Sequence, residues 1–160
     1  MLTIQIHERL DEAFSPKTVK IGDTVWMAEN LSVDDGGDGI YTDDKGTVYY
    51  SRDAAVRIAR SISGWHLPDK KEWEAANAKT RDLMSALNIK LNGYYSIGDL
   101  GQDYFDKGRD AYFWTPKKLC DDGSWGMYAY FAKWNGYKLA FLTNPADDSG
   151  FMTSIRLVKD

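Results

Sequence analysis

The sequence predicts an α+β fold, two or three short helices packed on a small twisted, mostly antiparallel sheet with long loops. Three features carry this reading. The run Gly64-Trp65-His66-Leu67-Pro68-Asp69-Lys70-Lys71-Glu72-Trp73 compresses a buried aromatic, a tight turn, a helix cap and a helix start into one short stretch. Ala55, Ile58, Ala59 and Ile62 recur at the spacing of one helix face. Asn135-Gly136 lies between apolar runs and is the strongest short-range signal for a hairpin with a type I′ turn.

Taken in chain order, Leu2, Ile4 and Ile6 alternate with polar residues and read as a strand, after which Ser15-Pro16 breaks the chain. Residues 1–18 form an N-terminal arm that either adds an edge strand or docks the domain onto a larger assembly. Residues 19–160 form the domain proper. Segments 19–21 and 24–27 are extended and flank a Gly22-Asp23 turn, which points Trp26 at the core. Segment 34–45 is a polar, glycine-rich loop. Asp53 is placed to cap a helix over 54–62. Pro68 biases Leu67 away from helix, Asp69 caps the helix over 70–78, and Glu72 completes a capping box. A further turn or helix follows over 81–87.

A two-residue turn at Asn135-Gly136 would pair Trp134 with Tyr137, Ala132 with Leu139 and Tyr130 with Phe141. On the other face it would set Lys133 opposite Lys138, which requires the tip to stand in water. Segment 155–158 supplies the closing strand and brings the two chain ends near each other.

The length fits one domain, and the Trp and Tyr content suits a loop-rich sheet protein whose rings fill irregular space. A net charge of −4 with interspersed signs lacks the basic stripe that nucleic acid requires. Acidic residues cluster with glycine at Asp34-Asp35, Asp38 and Asp43-Asp44, and again at Asp121-Asp122 and Asp147-Asp148. Without the spacing of a calcium loop they read as solvated turns. Cys120 is the single cysteine, so this chain can form no internal disulfide, which favours folding in a reducing compartment. The first residues do not read as a signal peptide, and no window is apolar enough to span a bilayer.

Four segments in order, Val19-Lys20-Ile21-Gly22 through Trp26-Met27 to Asn30-Leu31, Ser63-Gly64-Trp65-His66-Leu67-Pro68 through Glu72-Trp73, Ala111-Tyr112-Phe113-Trp114-Thr115, and the terminal Arg156-Leu157-Val158-Lys159-Asp160, resemble the Fibrobacter succinogenes major paralogous domain. The resemblance covers roughly residues 19–160. It implies a C-type-lectin-like fold, related to the domain of formylglycine-generating sulfatase-modifying factors and to retroelement-variable adhesins. That scaffold is shared by binders and enzymes, so function rests on sites.

The sulfatase-modifying chemistry that the resemblance brings to mind depends on a pair of cysteines, and Cys120 is alone beside Asp121-Asp122, whose charge opposes thiolate formation. His66 lies inside the fold-defining motif and reads as a satisfied structural histidine, and His7 lies in the arm. No catalytic residue, metal ligand or cofactor is expected, and the chain reads as a non-enzyme. Calcium-dependent sugar binding would rest on Asn144-Pro145 and Trp134-Asn135-Gly136 alone, and the Asn-Gly turn accounts for the second without metal.

A binding surface in the loops between the central hairpin and the last strand remains. Its candidate residues are Lys117, Lys118, Ser124, Trp125, Asn144, Asp147 and Asp148. Trp125, set among glycines and a serine, is either an exposed anchor of the kind enriched at interfaces or a ring folded back into the core. The expected role is a non-catalytic binding or structural module: a bacteriophage virion component, as tail fibre, receptor-binding tip, or head or collar decoration protein. The alternative is a bacterial surface or secreted carbohydrate-associated module. The expected partners are other virion proteins or a host surface receptor or glycan, with a possible homo-oligomer, no nucleic acid and no membrane insertion.

Overall fold

In the computed structural model, which describes residues 14–98, 101–118, 126–133, 137–144 and 151–160, the chain is α+β, with three helices and small antiparallel sheets among those residues. Gly22 (φ +61°) turns the chain between β1 (Thr18–Ile21) and β2 (Thr24–Met27), whose antiparallel register sets Val19 opposite Trp26. β3 (Ile40–Thr42) pairs with β4 (Val48–Tyr50), and helix α1 (Arg52–Ser61) follows at once. β5 (Trp65–His66) leads into α2 (Lys70–Lys79) and the short α3 (Leu83–Ala86). Then come β6 (Tyr94–Gly98), β7 (Gly101–Phe105), β8 (Ala111–Lys118), β9 (Gly126–Lys133), β10 (Tyr137–Asn144), β11 (Phe151–Met152) and β12 (Val158–Lys159).

The strands order as β1-β2-β12-β5, β10-β9-β8, β11-β6-β7 and β3-β4. Single bridges stitch these small sheets together: Tyr50 to Thr153, Phe113 to Ser154 and Gly93 to Ala111. The expected closing strand is shorter than 155–158, because only Val158 and Lys159 pair regularly. Its preceding residues still bond sideways, with Leu31 N donating to Ile155 O (2.9 Å) and Met27 N to Leu157 O (3.1 Å).

β8 decides how the core divides. Successive side chains on a strand face opposite ways, and here both ways lead inward. Tyr112 and Trp114 join Met27, Ile155, Leu157, the α1 residues Ala54, Ala55 and Ile58, and Ile62 just past the helix end. Ala111 and Phe113 join Trp26, Val158, the α2 residues Trp73 and Ala76, and Leu83 and Leu87. The uninterrupted apolar run Ala111-Tyr112-Phe113-Trp114 is therefore what a strand buried on both faces requires. Trp114 Nε1 satisfies itself on Tyr50 O (2.7 Å), and Trp73 sits between Trp26 and Phe113 with ring centroids 4.7 and 5.4 Å away.

The helix over 70–79 starts as expected: Asp69 accepts from Glu72 N (2.9 Å), and Glu72 accepts from Asp69 N (3.1 Å). α1 starts earlier than expected. Its N-cap is Ser51, whose Oγ accepts from Ala54 N (3.2 Å), and Asp53 falls in the first turn. Gly39 (φ +81°) leaves room for that hydroxyl, since a Cβ there would collide with Ser51 Oγ, and Gly39 O accepts from Ser51 N (2.7 Å).

The acidic turns differ among themselves. Asp34 and Asp35 accept from Gly36 N (2.8 Å) and Gly37 N (2.9 Å) as turn residues. Asp43 is instead buried, and its carboxylate gathers Lys45 N (2.9 Å), Thr47 N (2.8 Å) and Lys107 Nζ (3.2 Å), so it organises the β3–β4 turn rather than standing in water.

The hairpin register is the main correction. Tyr137 pairs with Lys133, Lys138 with Ala132 and Leu139 with Phe131, one residue off the expected register. Three residues, 134–136, thus separate the paired ends, and they lie outside the described residues. Asn-Gly marks a turn without setting its length, and three-residue connections are common in hairpins. The slip also removes the confrontation of Lys133 with Lys138, like charges that a two-residue turn would set opposite.

The expected strand over Leu2, Ile4 and Ile6 lies outside the described residues. Residues 14–18 pack with the domain: Phe14 stands edge-on to Trp65 at 5.5 Å, and Ala28 N donates to Lys17 O (2.8 Å). The capping correction is checked by urea denaturation. Ser51→Ala is expected to cost about 1 kcal/mol, whereas Asp53→Ala, which loses only a favourable charge in the first turn, is expected to cost about half as much or less.

Candidate functional site

The three-stranded sheet β10-β9-β8 presents one end at which Lys118 and Asn144 both pair with Gly126, the first residue of β9. Lys117 and Lys118 close β8, and Asn144 closes β10. The backbone thus brings three of the sequence-derived candidates to one sheet end. Ser124, Trp125, Asp147 and Asp148 lie outside the described residues, as do Cys120, Asp121 and Asp122.

The register of β8 breaks just before this end. From Trp114 opposite Tyr128 to Lys118 opposite Gly126, β8 advances four residues and β9 two. Pro116, which has no N–H for the ladder, lies within that irregularity. Its carbonyl accepts instead from Arg52 Nη2 (3.2 Å), which ties the sheet end to the start of α1.

Beside Pro116 runs a cleft of about 610 Å³ lined by Arg52, Asp53, Val56, Arg57, Arg60 and Pro116. It shares Val56, Arg60 and Pro116 with a more apolar hollow of about 280 Å³ that reaches Trp65 and Leu67. Arg57, in the cleft wall, is paired with Asp35, with Nε to Oδ2 at 2.8 Å and Nη2 to Oδ1 at 3.0 Å, and donates to Asp38 O at 2.9 Å. That hydrogen-bonded guanidinium holds the Asp35 carboxyl below its ordinary pKa. Arg52 Nε is buried without a partner among the described residues, and Arg60 is exposed. The cleft is therefore cationic at one end and apolar at the other, on a chain of net charge −4.

Sequence reasoning missed these arginines although the signal was present. Arg52, Val56 and Arg60 are spaced four residues apart and share a helix face. Attention to the apolar stripe of the opposite face hides them.

His66 stands at the far end of the hollow, bridging two carboxylates: Nδ1 to Asp160 Oδ1 at 2.6 Å, and Nε2 to Glu72 Oε2 at 2.9 Å. Donating from both ring nitrogens requires the imidazolium. Burial alone would lower the His66 pKa, but the hydrogen bonds it donates to Asp160 and Glu72 outweigh burial and raise it above 6.5. While the bridge stands, neither nitrogen offers a lone pair. Among the described residues no group of three or more His, Cys, Asp and Glu side chains is arranged to hold a metal ion.

No family model, no curated protein and no solved structure matches this chain. Its class is therefore defined by its own geometry: an α+β domain with an arginine-lined cleft beside one end of the β10-β9-β8 sheet.

The His66 bridge gives a pH dependence of known sign. With the folded pKa raised above 6.5, its contribution is fully present below about pH 6.5 and is lost as pH rises through the raised value. The difference in melting temperature between wild type and His66→Gln is expected to be largest at pH 6 and to shrink on the alkaline side. A difference that grows with pH would contradict the bridge.

Proposed function

We propose that the chain is a Fibrobacter succinogenes major paralogous domain with a C-type-lectin-like fold, acting as a non-catalytic binding and structural module. The role we favour is a bacteriophage virion component, a tail fibre or receptor-binding tip, or a head or collar decoration protein. The observation that carries the reading is the convergence of Lys118, Gly126 and Asn144 at one sheet end. The arginine cleft runs alongside. Loops carried on a rigid sheet are where binding residues concentrate. The single cysteine suits a protein folded in a reducing host cytoplasm and assembled there.

A bacterial surface or secreted carbohydrate-associated module is the second reading, favoured by a different observation. Phe105 is 43% exposed and stacks on Tyr94 at 5.1 Å and 18°, with Phe151 at 4.5 Å from the same Tyr94 ring. An exposed aromatic face of this kind suits the apolar face of a sugar ring.

Immunogold labelling of phage particles with antibody to the chain, run beside a glycan array of the purified protein, tests the proposal. Label at a fixed position on the particles is the expected result. Unlabelled particles, with array binding abolished by Phe105→Ala and unchanged by Lys117→Glu/Lys118→Glu, would move the assignment to the second reading.

A further inference from the structure

Between the end of β2, the β3–β4 turn and the segment after α3 lies a cavity of about 280 Å³. We propose that it binds a small polyhydroxylated anion, a monosaccharide carrying a carboxylate or a phosphate. Among the described residues three cations line it, Lys45, Lys90 and Arg156, against one carboxylate, Glu29. Glu29 is already matched by Lys17 at 3.3 Å. The cavity is thus a positive island on a chain of net charge −4.

Arg156 makes this more than a pair of surface lysines. It is 1% exposed, and its hydrogen bonds run to neutral oxygens: Asn30 Oδ1 (2.7 Å), Met27 O (3.0 Å), Leu87 O and Asn88 O (3.2 Å). No carboxylate among the described residues touches it. A buried charge without a counter-ion is costly, and burial pulls the Arg156 pKa down to about 10, against the attraction of Glu29. An anion in the cavity would supply the missing counter-charge.

The neutral part of the wall reads the rest of the ligand. Asn30, Asn88 and Asn92 line the cavity with amides, groups that donate to and accept from hydroxyls. Among the described residues no aromatic ring lines it, so recognition rests on charge and hydrogen bonds rather than stacking, which sets acidic sugars apart from neutral ones. The volume lies at the small end for ligand sites and suits one ring rather than a chain of them. The cavity shares no lining residue with the α1 cleft or its apolar hollow, so the proposal stands independently of the function proposed above.

Isothermal titration of the full chain with glucuronate, glucose 6-phosphate, glucose and inorganic phosphate tests it. Saturable one-to-one binding of glucuronate or glucose 6-phosphate, at least about tenfold tighter than glucose, is expected, with Lys45→Gln/Lys90→Gln weakening it about tenfold at an unchanged melting temperature. Binding of glucuronate alone identifies a carboxylate ligand, and binding of glucose 6-phosphate alone a phosphate ligand. The proposal is overturned if neither sugar acid saturates, if the double variant binds unchanged, or if inorganic phosphate binds as tightly as glucose 6-phosphate. The last result would mean that the hydroxyls are not read.

Discussion

The guanidinium of Arg156 ties three segments together. Through Met27 O and Asn30 it holds the end of β2, through Leu87 O and Asn88 O it holds the exit of α3, and its own backbone leads into β12. Its carbon centre lies 5.8 Å from the Phe113 ring centroid, so the same group rests on the two-faced strand β8. A planar fork with several fixed donors can serve carbonyls in different directions at once, which a lysine cannot. The carbonyls it satisfies would otherwise be among those left unpaired where a helix ends and a strand stops.

From that tie the rest of the architecture follows. β12 is only two residues long, yet it pairs with β2 on one side and β5 on the other. It can do so because the residue two before it is anchored. With β12 fixed, Val158 and Leu157 fall into separate clusters, as do Trp26 and Met27, and Ala111/Phe113 and Tyr112/Trp114 on β8. Helix α1 covers one side of this central layer, and α2 with α3 covers the other. β8 then continues past the Pro116 irregularity to Lys117 and Lys118, and Arg52 bonds Pro116 O from the helix side. The candidate binding end is thus built on a strand whose residues 111–115 are buried.

Local chemistry was legible in the sequence and distant pairing was not. The capping box at Asp69 and Glu72 forms between residues three apart, and the stripe of α1 needs only helical spacing, so both can be read from neighbours. Ser51 in place of Asp53 as the cap of α1 depends on Gly39, twelve positions upstream, making room for a hydroxyl. Asp43 looks like a surface acid until Lys107, far along the chain, meets it. The hairpin register turned on whether two or three residues make the connection, a choice that Asn-Gly leaves open. Of the candidate site, the convergence of Lys118 and Asn144 follows from strand topology, whereas the arginines of α1 were readable from their spacing and were passed over in favour of the buried face.

Arg156 acts as a fork shared among backbone carbonyls rather than as a simple positive charge. Urea denaturation of wild type, Arg156→Lys and Arg156→Met separates the two. Both variants are predicted to lose roughly 3–5 kcal/mol, because either one strands several buried acceptors and lysine keeps the charge without the fork. Retention of near wild-type stability by Arg156→Lys would show that charge alone suffices and would contradict the account.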